Sequence, residues 1–242
     1  MKIGIIGFGR FGKLATRYLA KDFDVSVSTR SSKDEEIKKL NAKTASLEDV
    51  CKKDIVIICV PISSFEEELE NIKNFIGKKT LVIDVCSVKE YPVELMKKIL
   101  PSHIQILATH PIFGPDSAVD SLKGKKMVLC KVRIDDDLYG KIKDYLAQKE
   151  LILLETTPGE HDKDMARSLF LTHLIGRSLL EFGSKNQDVD TEGYQRLLSI
   201  LKTVENDTWQ LFEDMCKYNE YSKGVMEKFI RSAQEISMRL DK

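Results

Sequence analysis

His110 is the residue of this chain best suited to accept a proton. It stands in the stretch Thr109-His110-Pro111-Ile112-Phe113-Gly114-Pro115-Asp116-Ser117, and an imidazole with an unperturbed pKa of ~6.5 exchanges protons near neutral pH. Pro111 biases the histidine towards extended backbone and Gly114-Pro115 imposes a turn, so a constrained loop is expected. The bland alternative is a histidine that only hydrogen-bonds a neighbouring loop. A second cluster, Gly7-Phe8-Gly9-Arg10-Phe11-Gly12, has the spacing of a dinucleotide-binding turn. There the glycines permit a tight turn, a close approach of backbone to pyrophosphate and close helix-strand packing. About 20 residues further on, where a carboxylate would normally hold the adenosine ribose of NAD, stand Thr29, Arg30 and Ser31. Cations and hydroxyls suit a 2′-phosphate, so the expected cofactor is NADP. The alternative there is a solvated turn that opens a helix.

Regular elements must position these groups, and hydrophobic periodicity locates them. Short apolar runs over residues 2–6, 25–28, 54–60, 80–85, 104–108, 126–132 and 150–156 read as strands. Between them, Phe11, Leu14, Ala15, Tyr18 and Leu19 have helical spacing, as do Ile62, Phe65, Leu69, Ile72 and Phe75, and then Leu138, Ile142, Tyr145 and Leu146. Such alternation predicts an α/β protein with a doubly wound, mostly parallel sheet of the Rossmann kind. Val60-Pro61, Cys86-Ser87 and His110 would then share one rim, with Val60 and Pro61 facing the cofactor. At Thr157-Pro158-Gly159-Glu160, a capping sequence, the pattern becomes wholly helical. We therefore expect a dinucleotide-binding domain over 1–156 and a smaller all-α C-terminal domain over 157–242.

Three amphipathic helices are expected in that second domain. The first carries Leu169, His173, Gly176 and Leu180 on one face; spacing alone fits a core or interface histidine. A second has Tyr194, Leu197, Leu198, Leu201, Val204, Leu211 and Phe212 as its stripe, with Asp207 beside it. There a charge without a partner would be costly, so Asp207 calls for a cation, and a surface pair with Lys202 or Arg196 is the alternative. The third, residues 222–240, repeats Val225, Phe229, Ala233, Ile236 and Leu240. So thin a layer leaves apolar faces exposed, which leads us to expect a homodimer through the helical domain.

Composition removes other classes of function. Thirty-eight basic residues balance 38 acidic ones, so no global field recruits nucleic acid or an anionic membrane. The cysteines Cys51, Cys59, Cys86, Cys130 and Cys216 are scattered without a C-x-x-C pair, the usage of a reducing compartment with no metal site. Strand-like sequence begins at Lys2 and no apolar run approaches the ~20 residues of a membrane span. A cytoplasmic location is expected.

Taken together, the motifs resemble the prephenate and arogenate dehydrogenase family over essentially the whole chain. The resemblance rests on Gly7-x-Gly9-x-x-Gly12, on Asp84-x-x-Ser87-x-Lys89, on the stretch around His110, and on His161-Asp162-Lys163 with Thr172-His173. Phe113-Gly114-Pro115 and the run ending at Gly176-Arg177 are most similar to plant-type arogenate dehydrogenases. The resemblance implies NADP-linked oxidative decarboxylation of a cyclohexadienol, arogenate to tyrosine or prephenate to 4-hydroxyphenylpyruvate, without a metal. It casts His110 as the proton acceptor, Ser87 as the group orienting the ring hydroxyl, and Gly114, Thr172 and His173 as substrate contacts. Asp207 would read the arogenate amine, and Arg177, Arg196 and Lys202 are candidates for a substrate carboxylate. Leu169 departs from the Ser or Gln common at its place. Two other readings compete. A β-hydroxyacid dehydrogenase would need a lysine pair that is not visible in the first helix after Thr156. A non-catalytic NADP-sensing dimeric module would not need Ser87, His110 and His173 together.

Overall fold

The apolar runs assemble into one sheet. The computed structural model describes residues 1–241. Its strands are β1 Lys2–Ile6, β2 Asp24–Ser28, β3 Lys43–Thr44, β4 Ile55–Ile58, β5 Leu81–Asp84, β6 Gln105–Pro111, β7 Lys126–Arg133 and β8 Ile152–Glu155. They lie in the order β3-β2-β1-β4-β5-β6-β7-β8. Every neighbouring pair is parallel except β6 with β7. Ile5, Val56, Ile58, Leu81 and Val82 are buried without remainder, as expected of central strands covered on both faces. The connecting helices are α1 Arg10–Leu19, α2 Asp34–Lys39, α3 Leu47–Cys51, α4 Phe65–Ile72, α5 Glu90–Ile99 and α6 Asp136–Gln148.

Three details differ from the sequence reading. β5 stops where Asp84 pairs with Ala108, but β6 continues, because antiparallel β7 carries the ladder on through His110 opposite Val128 and Pro111 opposite Met127. His110 therefore sits at the end of a strand and not on a loop. Phe75 does not join the buried stripe: α4 ends at Ile72, and Phe75 is 40 % exposed in the following turn. The two-residue β3 is too short and too exposed to leave a periodic trace.

The chain forms two compact units, Met1–Pro158 and Gly159–Lys242. The helical part comprises α7 Pro158–Met165, α8 Leu171–Glu181, α9 Glu192–Leu198, α10 Leu201–Val204, α11 Trp209–Lys217 and α12 Ser222–Leu240, with a π-helical turn over Ala166–Phe170. The single helix expected across Tyr194 to Phe212 is broken twice. Asp207 consequently lies in a turn, just before Thr208, whose side chain accepts the Leu211 backbone N–H at 3.1 Å and caps α11. Along α12, Phe229, Ile230, Ile236, Met238 and Leu240 are exposed. No helix among the described residues is long and apolar enough to cross a membrane.

Candidate active site

The glycine turn is shaped to receive an anion. Gly7 has φ +95°, and a Cβ there would lie 2.4 Å from the Cys59 carbonyl oxygen; one on Gly12 would lie 2.2 Å from the Gly7 carbonyl oxygen. Neither position tolerates a side chain. A Cβ on Gly9, by contrast, meets nothing within 4 Å. That open space stands at the start of α1, which has no side-chain cap and no acidic residue in its first turn. Helix N–H donors without a side-chain partner, together with the positive end of the helix dipole, suit a pyrophosphate. Phe8 turns its ring into the core and Phe11 packs against Phe113 at 6.5 Å between centroids, so at both positions the backbone is the part open to a ligand. Arg10 donates to Asp116 at 2.5 Å and the Tyr18 hydroxyl to the Ala118 carbonyl at 2.8 Å, tying the loop after His110 to this turn. Gly114 in that loop borders open space.

At the end of β2, Thr29 is half-buried while Arg30 and Ser31 are exposed. The Arg30 guanidinium already faces two carboxylates on α4, Glu68 at 3.5 Å and Glu67 at 3.6 Å. Burial pushes the Glu68 carboxyl above its usual range, and the Arg30 charge opposes that shift. This competition has no local signature, since Glu68 lies 38 residues from Arg30.

A buried ionic knot joins the segment carrying Ser87 to the strand carrying His110. The Asp84 carboxylate accepts the Cys86 N–H at 3.0 Å, the Thr109 N–H at 3.3 Å and the Lys89 ammonium, while the Thr109 hydroxyl donates to the Asp84 carbonyl at 2.7 Å. Both charged side chains are fully buried. Desolvation pushes the Asp84 carboxyl upward, and Lys89 with the two N–H donors pulls it back. Next to this knot His110 is 6 % exposed, and the Ser87 hydroxyl is buried with no hydrogen-bond partner. A buried hydroxyl left without a partner is costly unless something else binds it, so Ser87 fits an incoming polar group.

In the helical part, His173 is 1 % exposed and its Nε2 lies 3.5 Å from an Asp207 carboxylate oxygen. Burial pushes the His173 pKa down against the pull of Asp207. Gly176 lets α10 approach, since a Cβ there would lie 2.9 Å from Val204. Phe212 stacks on both Phe170 and His173, at 5.4 and 6.5 Å between centroids. Thr172 is half-buried beside His173. A second buried pair, His161 with Asp162 at 2.7 Å, is buttressed by Asn219 donating to the Asp162 carbonyl at 2.8 Å. No group of three or more His, Cys, Asp or Glu among the described residues is arranged to hold a metal.

A doubly wound sheet whose first helix opens without a side-chain cap on a glycine turn is the framework of a dinucleotide-dependent dehydrogenase. Within that class the chain belongs to the prephenate dehydrogenase family: residues 15–151 match the family model "Prephenate dehydrogenase, nucleotide-binding domain". Residues 178–242 match "TYRAAT1-like, C-terminal domain". Over 250 residues the chain is 32 % identical to arogenate dehydrogenase 1, chloroplastic, of Arabidopsis thaliana, covering 99 % of this chain and 39 % of that one. With arogenate dehydrogenase 2, chloroplastic, of the same plant it shares 30 % identity, covering 99 % of this chain and 70 % of the relative. The chain thus spans about two fifths of the first of these relatives. Among solved structures, Synechocystis arogenate dehydrogenase superposes with a TM-score of 0.73 at 18 % identity, covering 100 % of this chain and 92 % of that one. Prephenate dehydrogenase from A. aeolicus, solved with hydroxyphenyl propionate and NAD+, gives 0.78 at 20 % identity, covering 99 % and 90 %. At such identity these two share the fold.

Proposed function

We propose that the protein converts arogenate to tyrosine by oxidative decarboxylation, with NADP as the hydride acceptor. The observation that carries the choice of substrate is the Asp207 carboxylate held 3.5 Å from the buried His173. Arogenate carries an ammonium where prephenate carries a ketone. A carboxylate attracts the first and offers the second only a desolvation cost. The similarity to plant arogenate dehydrogenases supports the same reading.

His110 accepts the proton of the ring hydroxyl as hydride leaves the same carbon, and Ser87 orients that hydroxyl. The hydride acceptor would be supplied by a bound nicotinamide. The resulting dienone loses its ring carboxylate as CO2, and the bond electrons complete the aromatic ring. The phenolate so formed recovers a proton from protonated His110, which balances the reaction without a metal. His173, Thr172 and Gly114 contact the substrate. Gly7 to Gly12 would hold the pyrophosphate through backbone N–H groups, Val60 and Pro61 would line the cofactor's site, and Thr29, Arg30 and Ser31 would receive the 2′-phosphate.

Incubation with arogenate and NADP is expected to yield tyrosine, CO2 and NADPH in equal amounts. A protein that binds NADP but turns over neither arogenate nor prephenate would instead be a sensing module. Calorimetry is expected to show tighter binding of NADP than of NAD, reversed by Thr29→Asp with Arg30→Ala. Equal affinity for the two cofactors would contradict the role given to Arg30. The exposed apolar residues of α12 lead us to propose a homodimer through the helical part; a monomer by light scattering at micromolar concentration would remove it. Its five cysteines are all free, which fits action in the reducing cytoplasm.

A further inference from the structure

Arg177, one of three cations the sequence offers for a substrate carboxylate, is engaged elsewhere. Its Nη2 donates to the Asp207 carbonyl at 3.0 Å and to the Thr208 carbonyl at 2.9 Å. The guanidinium also lies over two rings of α11, Trp209 at 4.9 Å and Phe212 at 5.3 Å. Those rings meet edge to face at 5.5 Å, and Phe212 in turn stacks on His173. On the α8 side, Gly176 immediately before Arg177 admits Val204 and Ile200 so closely that any Cβ would crowd them. The turn at Asp207-Thr208 is thus gripped from α8 by two hydrogen bonds, two cation–π contacts and a bare helix surface. A planar fork that stacks and donates at once suits this task in a way a lysine does not.

We propose that Arg177 is the positioning residue for Asp207: it fixes the turn so that the carboxylate stays beside His173, and it thereby sets the preference for an amino over a keto substrate. The proposal rests on the reading of Asp207 given above. A residue that fixes Asp207 matters only to the substrate that Asp207 recognises, whereas a residue that binds a carboxylate common to both substrates matters equally to both.

The test compares kcat/KM for arogenate and for prephenate in the wild type, Arg177→Met, Asp207→Asn and the double variant. Arg177→Met keeps the length of the apolar stem, and Arg177→Lys serves if the methionine variant does not fold. The expected result is a loss of about tenfold or more on arogenate for either Arg177 variant, as for a lost interaction with a charged group. Prephenate turnover stays within about twofold. In the Asp207→Asn background the same change at Arg177 is expected to cost arogenate almost nothing more, because coupled residues are not additive. Equal losses on both substrates, or full additivity with Asp207→Asn, would overturn the proposal while leaving the Asp207 reading standing. An Asp207→Asn variant with unchanged preference would overturn both.

Discussion

His110→Asn is expected to lower turnover of arogenate by two orders of magnitude or more while leaving NADP affinity within about twofold. Removal of a general base commonly costs about 10²–10⁴ in rate. Asparagine has a similar shape, and the position is well supported: His110 pairs with Val128 across β6 and β7, and the neighbouring Thr109 is bound to Asp84 through both its N–H and its hydroxyl. Such a strand has little reason to move when one side chain at its end is exchanged. The glycine turn draws its anion site from Gly7, Gly9 and the head of α1, none of which involves the imidazole. Fluorescence titration with NADPH and steady-state kinetics separate the two effects. Parallel losses in binding and turnover would mean that His110 is structural.

Lys89→Met is expected to destabilise the protein by about 3–5 kcal/mol, the usual consequence of leaving one partner of a buried ion pair behind. Asp84 and Lys89 are both fully buried, and no solvent is at hand to take over the carboxylate. Thermal unfolding should shift down by roughly 2–4 °C for each kcal/mol in a chain of this size. The sign of the pH dependence follows from the raised Asp84 carboxyl. In acid, folded and unfolded chains both hold the proton and the loss is smallest; it deepens as pH rises past the folded Asp84 pKa of the wild type towards the still higher one the carboxyl takes without Lys89. Adding Asp84→Asn should restore most of the stability, since an uncharged pair of similar volume carries no desolvation debt. A single variant as stable as the wild type at neutral pH would show that the pair is not closed to water.

What the sequence reveals depends on the range of the interaction. The glycine turn, the alternation of β1, β4 and β5 with their helices, and the change to helices at Thr157 are local patterns, and periodicity exposes them. The sequence puts His110 on a loop because the ladder that extends its strand, His110 opposite Val128, is a long-range pairing that Pro111 and Gly114 do not advertise. The sequence puts Asp207 on a helix because its flanking stripe is continuous in spacing. Yet Asn206-Asp207-Thr208 is a capping sequence, and this local signal could have predicted the break. Asp84 and Lys89 stand out in the sequence as ends of one motif, and only the fold reveals that the lysine is buried against the carboxylate. Arg30 facing Glu68, and Arg177 gripping the Asp207 turn, are likewise contacts of tertiary structure.

The central claim is the choice of substrate, and steady-state kinetics of the wild-type protein with NADP on arogenate and on prephenate test it most directly. The expected result is a higher kcat/KM for arogenate, falling towards or below that for prephenate in Asp207→Asn. A wild-type protein whose kcat/KM favours prephenate would contradict it.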